Sequence, residues 1–351
     1  MPDLFAYLEG FGTGESFTKS IIIVTDLPTG STVTATKGET VKTADEKNGE
    51  WWINGLDLGE WKLKATLGEQ SATTIYNIEK FGVHYVPMSF QLYPDDFDWS
   101  EMGTKGVDYE IVQDDDTPIP VEDYRKYKNW KARVLTSGFV TALKDGYIDV
   151  FAVGAGAGGG FGKDHCGGGA GGETDTLTTV QITKGTRYAI VIGAGGPVNK
   201  SGGNTSGFGL EVSGGNPGTS ANTVAGAKGG DGQTGGGGAS YSATGGAGGS
   251  DGSDGSNGNN GSSTLSNKGK GTGKTTGEFG DSSARKYAPG GGGSSYNQSG
   301  GPGGEPGGGD GSSNRGNATP GEDNTGAGGG GGENGNGGSG ILIIRNAREV
   351  A

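Results

Sequence analysis

The hydrophobic pattern changes character near residue 153. Before that point, short apolar runs alternate with turn residues. Ser20-Ile21-Ile22-Ile23-Val24-Thr25 is β-branched and stops at Asp26-Leu27-Pro28-Thr29-Gly30. Residues 32–36 alternate up to Lys37-Gly38, Trp51-Trp52-Ile53 meets the turn signal Asn54-Gly55, and residues 60–66 alternate as far as Gly68. Residues 73–78 and 84–92 complete the set. Short strands at about 8–12-residue spacing, with turn residues between them, predict a small β-sandwich over residues 1–92.

Residues 93–130 are less regular. They carry Pro94-Asp95-Asp96, the run Asp114-Asp115-Asp116, Pro118 and Pro120. The segment reads as a connector with one short helix over residues 122–130, and the Asp triplet reads as a solvated acidic loop. From residue 131 strand patterns return at 132–135 and 138–140. The apolar strand 146–153 then runs straight into Gly154-Ala155-Gly156-Ala157-Gly158-Gly159-Gly160. Residues 176–182 and 187–192 predict a hairpin across Lys184-Gly185-Thr186. A short strand follows at 209–212, and the chain closes on Gly340-Ile341-Leu342-Ile343-Ile344-Arg345.

Composition sharpens this division. Of 81 glycines, 67 follow Val153, whereas all five tryptophans precede it, so the second part cannot build its interior from side chains alone. A flexible linker has such a composition. Collagen does not fit, because runs such as Gly328 to Gly332 break the every-third-residue frame and proline is scarce. A folded glycine lattice is the third reading. A polyproline II chain makes no hydrogen bonds to itself, so its buried N–H and C=O groups must pair with neighbouring chains. Such close approach requires residues without a Cβ. Strands that enclose the glycine runs on both sides favour the lattice. The fold class is therefore all-β: an N-terminal β-sandwich, a connector over 93–130, and a β-framed glycine-rich domain over 131–351 with packed polyproline/polyglycine II helices. Within it, residues 251–274, apolar only at Leu265, read as flexible.

A formal charge of −13 argues against nucleic acid and an anionic membrane face as partners. Met1-Pro2-Asp3-Leu4 lacks the features of a secretory signal, and Ile341-Leu342-Ile343-Ile344 is too short to span a bilayer, so neither export nor membrane insertion is expected. Cys166 is the single cysteine, which leaves no disulfide framework. Residues 154–159 satisfy G-x-G-x-x-G after a strand, but the glycine-rich continuation cannot open a dinucleotide-binding helix. Gly273-Lys274-Thr275 imitates a phosphate loop whose first glycine is replaced by Lys268. His165-Cys166 lacks further metal ligands and reads as a solvent-facing loop tip. No nucleophile–base constellation stands out, so no enzyme, cofactor or metal is expected.

The order of segments then becomes specific. Strand 147–153 precedes Gly-Ala-Gly-Ala-Gly-Gly-Gly, and hairpin 176–192 precedes Gly-Ala-Gly-Gly. Ser206-Gly207-Phe208-Gly209, Glu278-Phe279-Gly280 and Tyr287-Ala288-Pro289-Gly290-Gly291-Gly292-Gly293 follow, and the end is Gly338-Ser339-Gly340-Ile341-Leu342-Ile343-Ile344-Arg345. This resembles the glycine-rich C-terminal domain of phage and prophage tail fibres and receptor-binding adhesins. The resemblance covers residues 131–345. It implies a β-frame, packed glycine helices, and variable loops that touch a bacterial surface receptor, either a glycan or an outer-surface protein. It also implies a place in a virion or tail-like particle, contact with other tail or baseplate proteins through the N-terminal module, and room for a homotrimer. Candidate receptor-binding residues are the aromatic and polar residues between the runs: Phe161, His165, Tyr241, Tyr296, Asn297, Gln298, Asn314, Arg315 and Asn317. The competing expectation is a structural spacer or decoration protein without receptor contact.

Overall fold

Alternation in the first 90 residues produces two sheets around one core. The computed structural model describes residues 18–25, 27, 29–67, 70–88, 92–162, 164–221, 235–239, 277–281, 284–295, 300–313 and 316–347. The chain divides into two units, Met1–Leu92 with Asp145–Tyr147 and Tyr93–Lys144 with Ile148–Ala351. In the first, Ser20–Thr25 (β1), Thr32–Lys37 (β2), Thr40–Thr43 (β3), Asp45–Lys47 (β4), Glu50–Leu56 (β5), Gly59–Leu67 (β6), Gln70–Ile78 (β7) and Val83–Pro87 (β8) form two four-stranded sheets. Their orders are β4-β5-β1-β8 and β3-β2-β6-β7. Ile22, Val24, Trp51 and Ile53 of the first share a core with Val33, Trp61, Leu63 and Ala65 of the second, as a sandwich requires. The two central indoles are satisfied: Trp51 donates to the Ser31 carbonyl and Trp61 to the Asp57 carbonyl, both at 2.8 Å.

Asn54-Gly55 is not a turn. Both residues lie inside β5, where the register with β1 shifts between Ser20 and Ile22 and Gly55 takes φ of 74°. The extra residue is accommodated as a bulge, which a glycine at positive φ permits.

In the second unit, Phe97–Asp98 (β9), Tyr109–Val112 (β10), Lys131–Val134 (β11), Gly138–Ala142 (β12), Gly146–Val153 (β13), His165–Cys166 (β14), Thr174–Ile182 (β15), Arg187–Val191 (β16), Thr205–Gly207 (β17), Leu210–Val212 (β18), Ser220–Ala221 (β19) and Ile341–Asn346 (β20) build three sheets. Their orders are β10-β11-β20-β13-β15, β18-β17-β16-β12-β9 and the pair β14-β19. The closing strand β20 is thus central, antiparallel to both β11 and β13. Residues 93–130 are no free connector: β9 pairs with β12 and β10 with β11, so both larger sheets take strands from it. Its helical turn is a 3₁₀ turn at Val121–Lys126, and Trp130 is fully buried. The acidic run is not simply solvated either. Asp116 lies 2.7 Å from the buried Lys131 ammonium, which also contacts Glu278 at 2.6 Å.

On the sheet β10-β11-β20-β13-β15, Phe151, Val153, Ile341 and Ile343 pack with Tyr287 and Ala288. The Tyr287 hydroxyl donates to Glu278 at 2.6 Å. Burial pushes this phenol far above its ordinary pKa, and the neighbouring Glu278 carboxylate adds to the shift.

Candidate functional site

The glycine runs that leave these strands hydrogen-bond to one another with a period of three. Along residues 154–160, Gly154, Ala157 and Gly160 donate to the carbonyls of Glu173, Ala170 and Gly167 at 2.8, 2.9 and 2.8 Å. Ala155 and Gly158 donate to Gly203 and Lys200, each at 3.0 Å, and Gly156 and Gly159 donate to Gly338 and Gly335 at 2.9 and 2.8 Å. Donors advance by three as acceptors retreat by three, so all three partners are antiparallel.

The carbonyls of the same run face three further segments. Ala155 and Gly158 accept from Gly215 and Gly218, Gly156 and Gly159 from Gly196 and Asn199, and Ala157 and Gly160 from Gly329 and Gly332. Here both partners advance together, so these neighbours are parallel. One run thus has six neighbours, which take the N–H groups of residues 154–160 and the carbonyls of residues 155–160. Spacing of this kind leaves no room for a Cβ at the glycine positions, although the run also carries the buried Ala155 and Ala157. A Cβ at Gly156 would overlap the Ala327 carbonyl, and one at Gly159 the Gly330 carbonyl, both well inside the 3.0 Å that real Cβ atoms keep.

Chain direction gives the lattice two ends. Residues 154–160 leave β13, the run after β16 passes Gly196, and the run after β18 passes Gly215. Returning runs lead into β15, β17 and β20. The two five-stranded sheets therefore gather at one end, and the turns 161–166, 197–200 and 332–335, with the short β14-β19 pair, at the other. Later runs repeat the step of three: Gly291 and Ser294 donate to Gly169 and Cys166, and Gly309 and Ser312 to Gly328 and Gly331. Ser295 and Ser313 consequently reach the same sheet-distal end, where they bridge.

Side chains tie these distal turns together. Asn199, at φ 62°, accepts the Phe161 N–H at 2.8 Å and donates back to the Phe161 carbonyl at 3.2 Å. Asn336 accepts the Val198 N–H at 3.2 Å, and Asn334 donates to Asn317 at 3.0 Å. Asn317, Glu333, Asn334 and Asn336 are exposed. The result is a polar, amide-rich surface fixed by cross-turn hydrogen bonds.

Of the residues anticipated from sequence, this geometry brings Phe161 and Asn317 to the distal end. Phe161 is half-buried with its backbone clamped by Asn199, and Asn317 stands next to Asn334. His165 is a correction: it is only 2% exposed, because β14 pairs with β19, and so it is no solvent-facing loop tip. Cys166 is buried beside it, its N–H donating to the Ser294 hydroxyl at 2.8 Å. Tyr241, Tyr296, Asn297, Gln298, Asn314 and Arg315 lie outside the described residues, as does the stretch 251–274. Sequence reading missed Asn199, Asn334 and Asn336. For Asn199 and Asn334 the signal was an Asn at a turn between glycine runs, a residue type that tolerates positive φ.

The comparison with known families agrees with this architecture. A family model described as a glycine-rich domain matches residues 135–347. The chain belongs to the glycine-rich domain family. No curated protein and no solved structure matches it significantly. The matched span of the glycine-rich domain begins just after β11 and ends just past β20, so it takes in the runs and the distal turns together. Among the described residues no group of three His, Cys, Asp or Glu side chains is placed to hold a metal ion, and no helix is long and apolar enough to cross a membrane.

Proposed function

We propose that the glycine-rich domain is the receptor-binding tip of a phage or prophage tail fibre, attaching a virion or tail-like particle to a bacterial surface. The observation that carries this reading is the separation of roles along the lattice. Glycine runs consume their own backbone groups in mutual hydrogen bonds, and turns from distant parts of the chain converge at the end remote from the two five-stranded sheets. A period of three supports polyglycine II packing, since that helix has three residues per turn. Binding by several copies would compensate for weak single contacts. The first unit, a sandwich without a glycine lattice, serves on this reading as the attachment module to other tail or baseplate proteins.

The test is attachment itself. Fluorescently labelled full-length protein is incubated with a panel of bacterial strains, and the expected result is surface labelling that unlabelled protein competes away. Glu333→Arg should weaken labelling without changing thermal unfolding, because its side chain is exposed. Incorporation into particles without labelling of any strain would overturn the reading in favour of a spacer.

A further inference from the structure

The edge strand of a sheet presents unpaired N–H and C=O groups to any strand that fits it. Most edges among the described residues are blunted. β9, β14, β18 and β19 are two or three residues long, β3 carries Lys42, and β4 is Asp45-Glu46-Lys47. β8 ends on Pro87, and β15 carries Asp175 and holds Thr179 at φ of 57°. β10 is covered by the segment after it, where Val112 bridges Pro118 and Ile119 donates to the Ile111 carbonyl. Short edges, charges, prolines and irregular backbone are the devices that keep sheets from joining.

β7 has none of them. Gln70–Ile78 runs for nine residues without a charge, a proline or a positive φ. It pairs with β6 over its whole length, from Gly59↔Ile78 to Leu67↔Gln70. Among the described residues no backbone hydrogen bond reaches its other side. Ile78 lies in the sandwich core, Ala72 and Tyr76 pack against that core, and Ser71, Thr73, Ile75 and Asn77 are exposed. Ile75, paired with Lys62 of β6, is 65% exposed.

An uncharged edge is best met by an uncharged strand of the same length, and a second copy of β7 is both. In an antiparallel pair about a twofold axis at Ile75, that residue stands opposite its own copy. On the same face Thr73 meets Asn77, and on the core face Ala72 meets Ile78 and Thr74 meets Tyr76. Glu79, just beyond β7, meets Ser71. No like charges oppose one another, and one surface serves both partners, as an isologous contact requires. We propose that β7 pairs in this register with β7 of a second copy, joining two β3-β2-β6-β7 sheets into one. A single strand pair falls short of the about 1,200–2,000 Å² of a stable interface, so the dimer dissociates on dilution. This pairing is independent of what the distal turns contact.

Sedimentation velocity on the full chain, from about 5 to about 500 µM, tests this. The expected result is a monomer at the low end and a dimer at the high end. Ile75→Glu sets like charges opposite each other at the axis, while within each copy the new carboxylate lies beside Lys62. It should keep the melting temperature and raise the dissociation constant at least tenfold. Under mild oxidation Ile75→Cys should give a covalent dimer faster than Thr73→Cys, whose opposite residue is Asn77 and not its own copy; the native Cys166 is buried. If Ile75→Glu does not fold, the cross-linking rates decide. A monomer at every concentration overturns the proposal and leaves the edge to an extended segment of another protein. An oligomer that folded Ile75→Glu leaves intact, or equal cross-linking of the two cysteine variants, overturns it as well, since the copies then meet elsewhere.

Discussion

The Lys131 ammonium lies 2.6 Å from the Glu278 carboxylate, and both are buried although 147 residues separate them in sequence. The pair pins the 3₁₀ turn Glu278–Gly280 to β11, and Phe279 of that turn lies under the Arg345 guanidinium at 4.0 Å. Removing one member leaves the other charged and buried, which costs about 3–5 kcal/mol in comparable pairs. Glu278→Gln should fall near the lower end of that range, since Lys131 keeps Asp116. Urea denaturation of the full chain checks it. A shift of under about 1 kcal/mol would mean that the pair behaves like an exposed ion pair.

Alkaline stability should follow Tyr287. Its folded pKa is raised by burial above the unfolded value of about 10. The native phenol therefore keeps a proton that the unfolded chain releases, so its contribution is intact below pH ~10 and declines as pH rises beyond that. The slope approaches ~1.4 kcal/mol per pH unit for one such group. Tyr124, pushed up to about 12 by burial, acts in the same direction. Urea midpoints between pH ~8 and ~11.5 should show the decline, and Tyr287→Phe should make it shallower.

Glycine-to-alanine changes should separate scaffold from surface. Gly159→Ala drives a Cβ into the Gly330 carbonyl, a backbone atom that no rotamer change can move aside. Its cost should reach or exceed the ~1–3 kcal/mol typical of overpacking. Gly82→Ala meets nothing within 4 Å and should stay within ~0.5 kcal/mol of the parent. Thermal unfolding of the two variants gives the comparison. Equal melting temperatures would contradict the packed arrangement of the runs.

Truncation should locate the start of the second unit. A fragment beginning at Lys131 lacks β9 and β10, and with them Phe97 and Trp99, whose rings pack together at 5.8 Å. A fragment beginning at Tyr93 retains them. Limited proteolysis of the full chain should therefore leave a resistant core that includes residues 93–130. A stable core beginning at residue 131 would show that these strands are dispensable.

Much of the frame was legible in the sequence because its strands are strongly patterned. Residues 341–344 are a continuous apolar run and residues 146–153 one broken only by Asp149, and both became interior strands of one sheet. Strands β3 and β4 were invisible for a physical reason. All their residues are exposed, and Asp45-Glu46-Lys47 is a charged edge with no apolar periodicity to read. Residues 93–130 were misjudged because Pro118 and Pro120 dominate their local pattern, whereas long-range pairing decides the outcome. The need for hydrogen bonds between runs followed from the glycine content together with the strands that enclose it. Which run meets which could not, since a sequence of nearly identical residues carries no register. His165 was misplaced for the same reason: nothing local announces the pairing with Ala221.

The step of three in residues 154–160 has a consequence for how such a chain can vary. Each donor is assigned to one of three neighbours by its position in a triplet, so losing a single residue would turn every later N–H toward the wrong partner. The runs are in effect read in a fixed frame, much as codons are. Insertions and deletions are tolerated only where the frame is released, in the turns at the two ends. Variation in length is therefore channelled to the turns, while the lattice between them stays constant.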